Sequence, residues 1–225
     1  MTRRGAIADS YVAPSAGITI VQQTAGNTGA AADVPPFDAS LTAPATAGNQ
    51  ILLAVASDAT VATPSGFSLV KDRVNVNGLY LWAKIAAGGE QNISTTPGGT
   101  VASAWWVCET NGLALPALQT ASTDTSPAGA GTGSTATTAA TSGATNGLAV
   151  AVFGSTSTSG ATRSASSMTN SFVEQADSCT TTAGNNLQIA VGFLTPSADG
   201  TFESTVTLSG AALSIGGIIA VFAHT

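Results

Sequence analysis

The chain has 225 residues, a net charge of −6 and 8% charged residues, where an ordinary soluble domain carries about 25%. Its six Lys and Arg form no basic stripe that would track a nucleic acid, and no run of about 18 apolar residues is present to span a membrane. Hydrophobic residues make up 44%, enough for a substantial core. The surface must therefore be dressed in Thr, Ser, Ala, Asn and Gly, which suits a protein packed beside neighbours.

In chain order, residues 1–47 read as an extended N-terminal arm with one strand, "GITIVQQT" (17–24), set among loop-like punctuation. No apolar stretch follows Arg3 and Arg4, so the opening reads as neither a Sec nor a Tat signal. These two arginines are cations in an acidic chain, and Ile7, Tyr11 and Val12 are too sparse to build a core. The five are candidates for a docking arm, able to meet an acidic patch or extend a sheet edge on a neighbouring subunit.

Residues 48–225 read as one β-sandwich: a first repeat (48–111), a Gly/Ala/Thr-rich flexible crossover (112–145) and a second repeat (146–225). "NQILLAVAS" (49–57) aligns with "NGLAVAVFGS" (146–155), placing Ile51, Leu53 and Val55 on Leu148, Val150 and Val152. "GFSLVKD" (66–72) aligns with "SFVEQAD" (171–177), Phe67 on Phe172. "GLYLWAKIA" (78–86) aligns with "NLQIAVGFL" (186–194), and "SAWWVCE" (103–109) with "GIIAVFA" (217–223). The added residues fall in loops, as in a diverged duplication. No segment keeps a helical apolar period; "GLALPALQTA" (112–121) comes nearest and contains Pro116. The expected fold is all-β: a jelly-roll-like two-sheet sandwich of two related four-strand units, each with one apolar face to cover the other.

Chemistry is sparse. The one histidine, His224, lies beside the C-terminus and reads as a frayed surface residue rather than a base. Cys108 and Cys179 occupy non-equivalent places and read as separate thiols, and no metal-ligand spacing occurs. The glycines of 129–140 lack the lysine of a phosphate cradle. The carboxylates Asp58, Asp72, Glu90, Glu109, Glu174, Asp177, Asp199 and Glu203 read as solvated turn residues. No catalytic, cofactor or metal residue is therefore nominated. Among the aromatics, Tyr80 and Trp82 share one face of a strand, and the adjacent Trp105 and Trp106 point to opposite faces. Core packing explains most of this; a subunit interface comes second and a glycan-stacking platform third.

The first repeat resembles a β-sandwich unit of tailed-phage virion proteins, in particular minor tail proteins of actinobacteriophages. The resemblance is carried by "ILLAVAS", "PSGFSLV" and "LYLWAKIAAGGE", with Phe67 where the pattern usually has Trp. The second repeat lacks the Pro-Ser-Gly element, and the arm is not covered. The resemblance implies a non-enzymatic virion protein, in the tail rather than the capsid, whose partners are other virion subunits and copies of itself, with no cofactor. The alternatives are a capsid decoration or minor capsid protein, and an adhesion module that binds a host surface glycan. The motifs mark a structural unit, so no catalytic residue carries over.

Overall fold

The computed structural model describes residues 17–28, 36–74, 78–123, 133–143, 147–157, 162–180, 186–196, 198–212 and 214–224. Among the described residues every regular element is a strand. The first half of the chain contributes β1 (Thr19–Asn27), β2 (Phe37–Ser40), β3 (Gln50–Ser57), β4 (Ser68–Val74), β5 (Gly78–Ile85), β6 (Asn92–Thr95) and β7 (Ser103–Asn111). The second contributes β8 (Leu113–Thr123), β9 (Gly133–Thr137), β10 (Thr141–Gly143), β11 (Leu148–Ser157), β12 (Ala165–Met168), β13 (Val173–Cys179), β14 (Asn186–Leu194), β15 (Gly200–Phe202), β16 (Thr205–Ala212) and β17 (Ser214–His224).

Two antiparallel five-stranded sheets form the centre, ordered β4-β5-β3-β7-β1 and β13-β14-β11-β17-β8. Taken in this direction the two orders match strand for strand. Each main sheet has one strand more than the four expected, and the additions come from outside the aligned repeats. β1 belongs to the arm, and β8 to the stretch expected to be a flexible crossover, where β9 and β10 also lie. Pro116 is accommodated because β8 is an edge strand, where a missing N–H costs no ladder bond.

The sheets pack face to face with the order reversed: β1 lies over β13, β7 over β14, β3 over β11 and β4 over β8. The two central strands oppose each other, and each edge opposes the other half's opposite edge.

Both faces of the central strands of both sheets are covered. Leu52, Ala54, Leu81 and Trp106 meet Val150, Val152, Ile189 and Phe222 between the sheets. On the far side of the first sheet, Ile51, Leu53, Tyr80 and Trp82 pack under Ala39 and Ile93 of the paired strands β2 and β6. On the far side of the second, Ala149, Phe153 and Ile219 pack under Ala136, Val206 and Leu208 of the sheet β12-β16-β9. The result is four layers, where the sequence suggested two. It also accounts for the composition: all eight residues of β3 are buried, as is each of the first nine of β17. Strands covered on both sides have no place for charge and lose the alternation of a half-exposed strand.

The edges of the main sheets are irregular. The ladder shifts between Ile20 and Gln22 on β1, between Leu69 and Lys71 on β4, and between Glu174 and Ala176 on β13; the β17–β8 ladder shifts twice. Bulges disrupt the flat row of unpaired backbone groups that would template edge-to-edge association.

Candidate functional site

The aromatic residues nominated above lie in the cores. Tyr80 and Trp82 stack with ring centroids 5.0 Å apart and planes 5° from parallel, 5% and 0% exposed. Tyr80 Oη accepts the Val61 N–H at 3.2 Å. Trp106 is also 0% exposed; its Nε1 donates to Gln23 Oε1 at 3.1 Å, and its ring meets Phe193 edge-on at 5.4 Å. Trp105 is half-buried over Gly26, its partner in β1. None of Tyr80, Trp82 and Trp106 is available as a glycan platform or an exposed interface: β2 and β6 cover the first two, and Trp106 lies between the two main sheets. The candidate arm residues Arg3, Arg4, Ile7, Tyr11 and Val12 lie outside the described residues.

The motif residues form a clasp. In Pro64-Ser65-Gly66-Phe67 the Phe67 N–H donates to Pro64 O at 3.0 Å, and Gly66 takes φ +78° at the third position, where such a turn favours glycine. At the end of β5, Lys84 Nζ lies 5.4 Å from the Phe67 ring centroid and 3.0 Å from Glu90 Oε1. Glu90 also accepts the N–H groups of Ala87 and Gly88, each at 2.8 Å. The Ala87 N–H, followed by Lys84, holds the Glu90 carboxyl down to about 2. The "AAGGE" turn is thus closed on itself and tied to the Pro-Ser-Gly turn through one lysine.

The second half has a turn at the place of Pro64–Phe67, with positive φ at both of its central residues rather than at one. The Phe172 N–H donates to Thr169 O at 3.3 Å, and Asn170 and Ser171 stand at φ 57° and 64°. The Pro-Ser-Gly element absent from the sequence is replaced by Thr169-Asn170-Ser171. In each half the edge-strand bulge falls three residues after the phenylalanine, at Val70 and Gln175. With the bulges as reference, Leu69 and Glu174 correspond; their partners are Trp82 and Gly192, which in turn pair with Leu53 and Ala151. Leu53 therefore matches Ala151, one residue from its sequence alignment with Val150. The slip exchanges the faces: Ile51, Leu53 and Val55 point to the outer layer, while Leu148, Val150 and Val152 point between the sheets. By the same ladder Lys84, opposite Ile51, corresponds to Leu194, opposite Ala149.

Where the first half has its clasp, the second has a groove of about 730 Å³. It is lined by the Asn170–Ser171 turn, by Leu194 at the end of β14 with Thr195 and Pro196 after it, and by Asp199, Phe202 and Glu203 around β15. Among the described residues its lining includes two carboxylates and an aromatic ring.

Two buried polar centres escaped the sequence reading, which took their carboxylates for solvated turn residues. Glu109 is 0% exposed. Its Oε2 accepts Gln22 Nε2 at 2.6 Å, and its Oε1 accepts the Thr46 N–H at 2.8 Å and Asn49 Nδ2 at 2.5 Å. Burial pushes the Glu109 carboxyl up, but the hydrogen bonds from Gln22, Thr46 and Asn49 outweigh it and leave the group below its ordinary range. In the other half Arg163, 3% exposed, donates from Nη2 to Ser155 O, Ser155 Oγ and Asn186 O at 3.3, 3.1 and 3.0 Å. Asp177 accepts the Ala165 N–H at 2.7 Å and Gln188 Nε2 at 2.9 Å. Both centres pin loops to sheets. His224 is half-buried, paired with Leu113 and laid against Gly17. Cys108 and Cys179 are free thiols. Among the described residues no group of three His, Cys, Asp or Glu side chains could hold a metal ion.

Comparison with protein-family models, with curated proteins and with solved structures returns no match to this chain.

Proposed function

We propose that the chain is a non-enzymatic structural subunit of a tailed-phage particle, a minor tail protein that packs against other virion subunits and copies of itself. The observation that supports this reading is the use made of the motif residues. Gly66, Phe67, Trp82, Lys84 and Glu90 close turns and fill the outer core of the first half. The low charge fits the same role, because a surface of Thr, Ser and Ala is poorly suited to standing alone in solvent and well suited to close packing. The host-glycan alternative loses its aromatic platform with the burial of Tyr80, Trp82 and Trp106.

The test is peptide mass spectrometry of purified particles, with copy number from labelled standards. The expected result is co-purification at the low stoichiometry of tail components. A copy number comparable with the major capsid protein would make it a decoration protein, and absence from particles would overturn the virion reading altogether.

A further inference from the structure

We propose that the free edge of β7 is a docking site for the β1 strand of a second copy of this chain, so that neighbouring copies exchange β1 and close one another's first sheet. β1 pairs with β7 alone, from Thr19↔Asn111 to Asn27↔Ala104. None of its nine residues is buried, whereas Trp106, Val107, Cys108 and Glu109 of β7 are 0% exposed. Ile18, just before the strand, and Ile20 supply its apolar anchor. The rest of its hold is polar. Gln22 bonds Glu109 and the Ala43 backbone, and Gln23 bonds Trp106 and Gln175. Thr24 donates to Ser40 O, and Asn27 Nδ2 donates to Ser178 Oγ and Cys179 O. Each of these bonds is exposed or only partly buried. β1 is thus a strap across the seam between the two main sheets, and such a strap opens at a lower free energy than the strands it covers.

The occupant follows from what β7 demands. With β1 displaced, the backbone edge of β7 stands unpaired. Trp106 Nε1 loses Gln23 Oε1, and the buried Glu109 carboxylate loses Gln22 Nε2 at 2.6 Å. Groups left unmet in this way bear their full desolvation penalty, so the edge has to be refilled by a strand with side-chain amides at both positions. The two positions are adjacent, and Gln-Gln occurs once in the chain, at Gln22-Gln23. A second copy's β1 carries that pair in the same register. The exchanged form therefore keeps the contacts of the closed one, and concentration sets the balance between them. Nine residues separate Asn27 from Phe37, and covalent geometry limits that span to about 35 Å. A strand on so short a tether competes for its own β7 at an effective concentration of about 1 mM, a level reached by copies packed side by side.

The inference stands apart from the virion reading, and its test uses the isolated full-length chain. Thr19 and Asn111 are register partners and both are exposed. Antiparallel partners lie about 5 Å apart at Cα, which suits a disulfide. Two single variants, Thr19→Cys and Asn111→Cys, are made with Cys179→Ser in both; Cys108 is 0% exposed and is kept. They are mixed at about 1 mM in a glutathione redox buffer, and the products are identified by mass. The expected result is a covalent heterodimer of the two variants in clear excess over either homodimer, with a yield that falls on dilution. The double variant Thr19→Cys, Asn111→Cys is the control: it should close within one chain, stay monomeric and neither donate nor accept a strand. A control that closes beside single variants that give no heterodimer would overturn the proposal. Homodimers in equal yield would mean contact between surfaces rather than exchange, and would overturn it as well. A measurement without added cysteines covers the case in which the disulfide fails to close. The parent chain, held at about 1 mM and then diluted, should show by native mass spectrometry a dimer that decays slowly, at the rate of strand opening. A chain that is monomeric throughout, or a dimer lost as soon as it is diluted, counts against exchange.

Discussion

Ser171 holds, in the second half of the chain, the left-handed backbone position that Gly66 holds in the first, at φ 64° against 78°. Each stands immediately before a phenylalanine whose N–H closes the turn. A serine pays for this conformation and a glycine does not, so the two positions respond oppositely to exchange. Ser171→Gly is expected to raise stability by about 0.5 kcal/mol, because relief of strain exceeds the added chain entropy of glycine. Gly66→Ser is expected to lower it by about 1 kcal/mol. Urea unfolding of the two variants checks the pair; a loss in both would mean that Ser171 is held by a contact of its side chain.

Glu109→Gln is expected to destabilise the protein by about 2 kcal/mol near neutral pH, since an amide nitrogen would face donors that now share a carboxylate. The folded-state pKa of Glu109 lies below its unfolded value. Its stabilising contribution is therefore complete above the unfolded value, about 4.3, and is lost as pH falls through the folded one. The gap between parent and variant should be constant from pH 8 to 5 and narrow below pH 4. Thermal melts across that range measure it, and a gap that widens on acidification would refute the assignment.

Trp82 is fully buried, and its Nε1 has no hydrogen-bond partner among the described residues. Trp82→Phe removes the orphan donor along with some packing and should cost about 1 kcal/mol or less. Trp82→Ala opens a cavity under β2 and β6 and should cost about 3–5 kcal/mol. Chemical denaturation separates the two; equal and small losses would indicate that the outer layer is not closed over this ring.

Gly112 links the two halves between β7 and β8, at φ +88°, and a Cβ there would lie 2.0 Å from Gly17 O. The obstacle is backbone rather than a side-chain tip, so it cannot swing aside. Gly112→Ala is expected to cost roughly 2–4 kcal/mol, read as a fall in melting temperature. A melting temperature within a degree of the parent's would show that the junction can open without disturbing β1.

Several features of the fold were legible along the chain. Turn residues every few positions, β-branched and aromatic runs and the absence of a helical period specify an all-β protein, because these are local properties of the backbone and its nearest side chains. The strand at 17–24 belongs to the same class. The face on which each side chain lies was not legible. In "ILLAVAS" every residue is apolar or small and every one is buried. A one-residue slip leaves the pattern unchanged, although it exchanges the two faces of the strand. The role of β8 and β9 was hidden for a related reason. Pro116 interrupts β8 and β9 is only five residues of Gly, Ser, Thr and Ala, and both become strands by completing ladders with β17 and β16. The depth of Glu109 and the groove beside Ser171 depend on partners far along the chain, Gln22 and Asn49 for one, Leu194 and Glu203 for the other. Only the four-layer packing brings those partners together, because it covers faces that a two-sheet sandwich would leave to water.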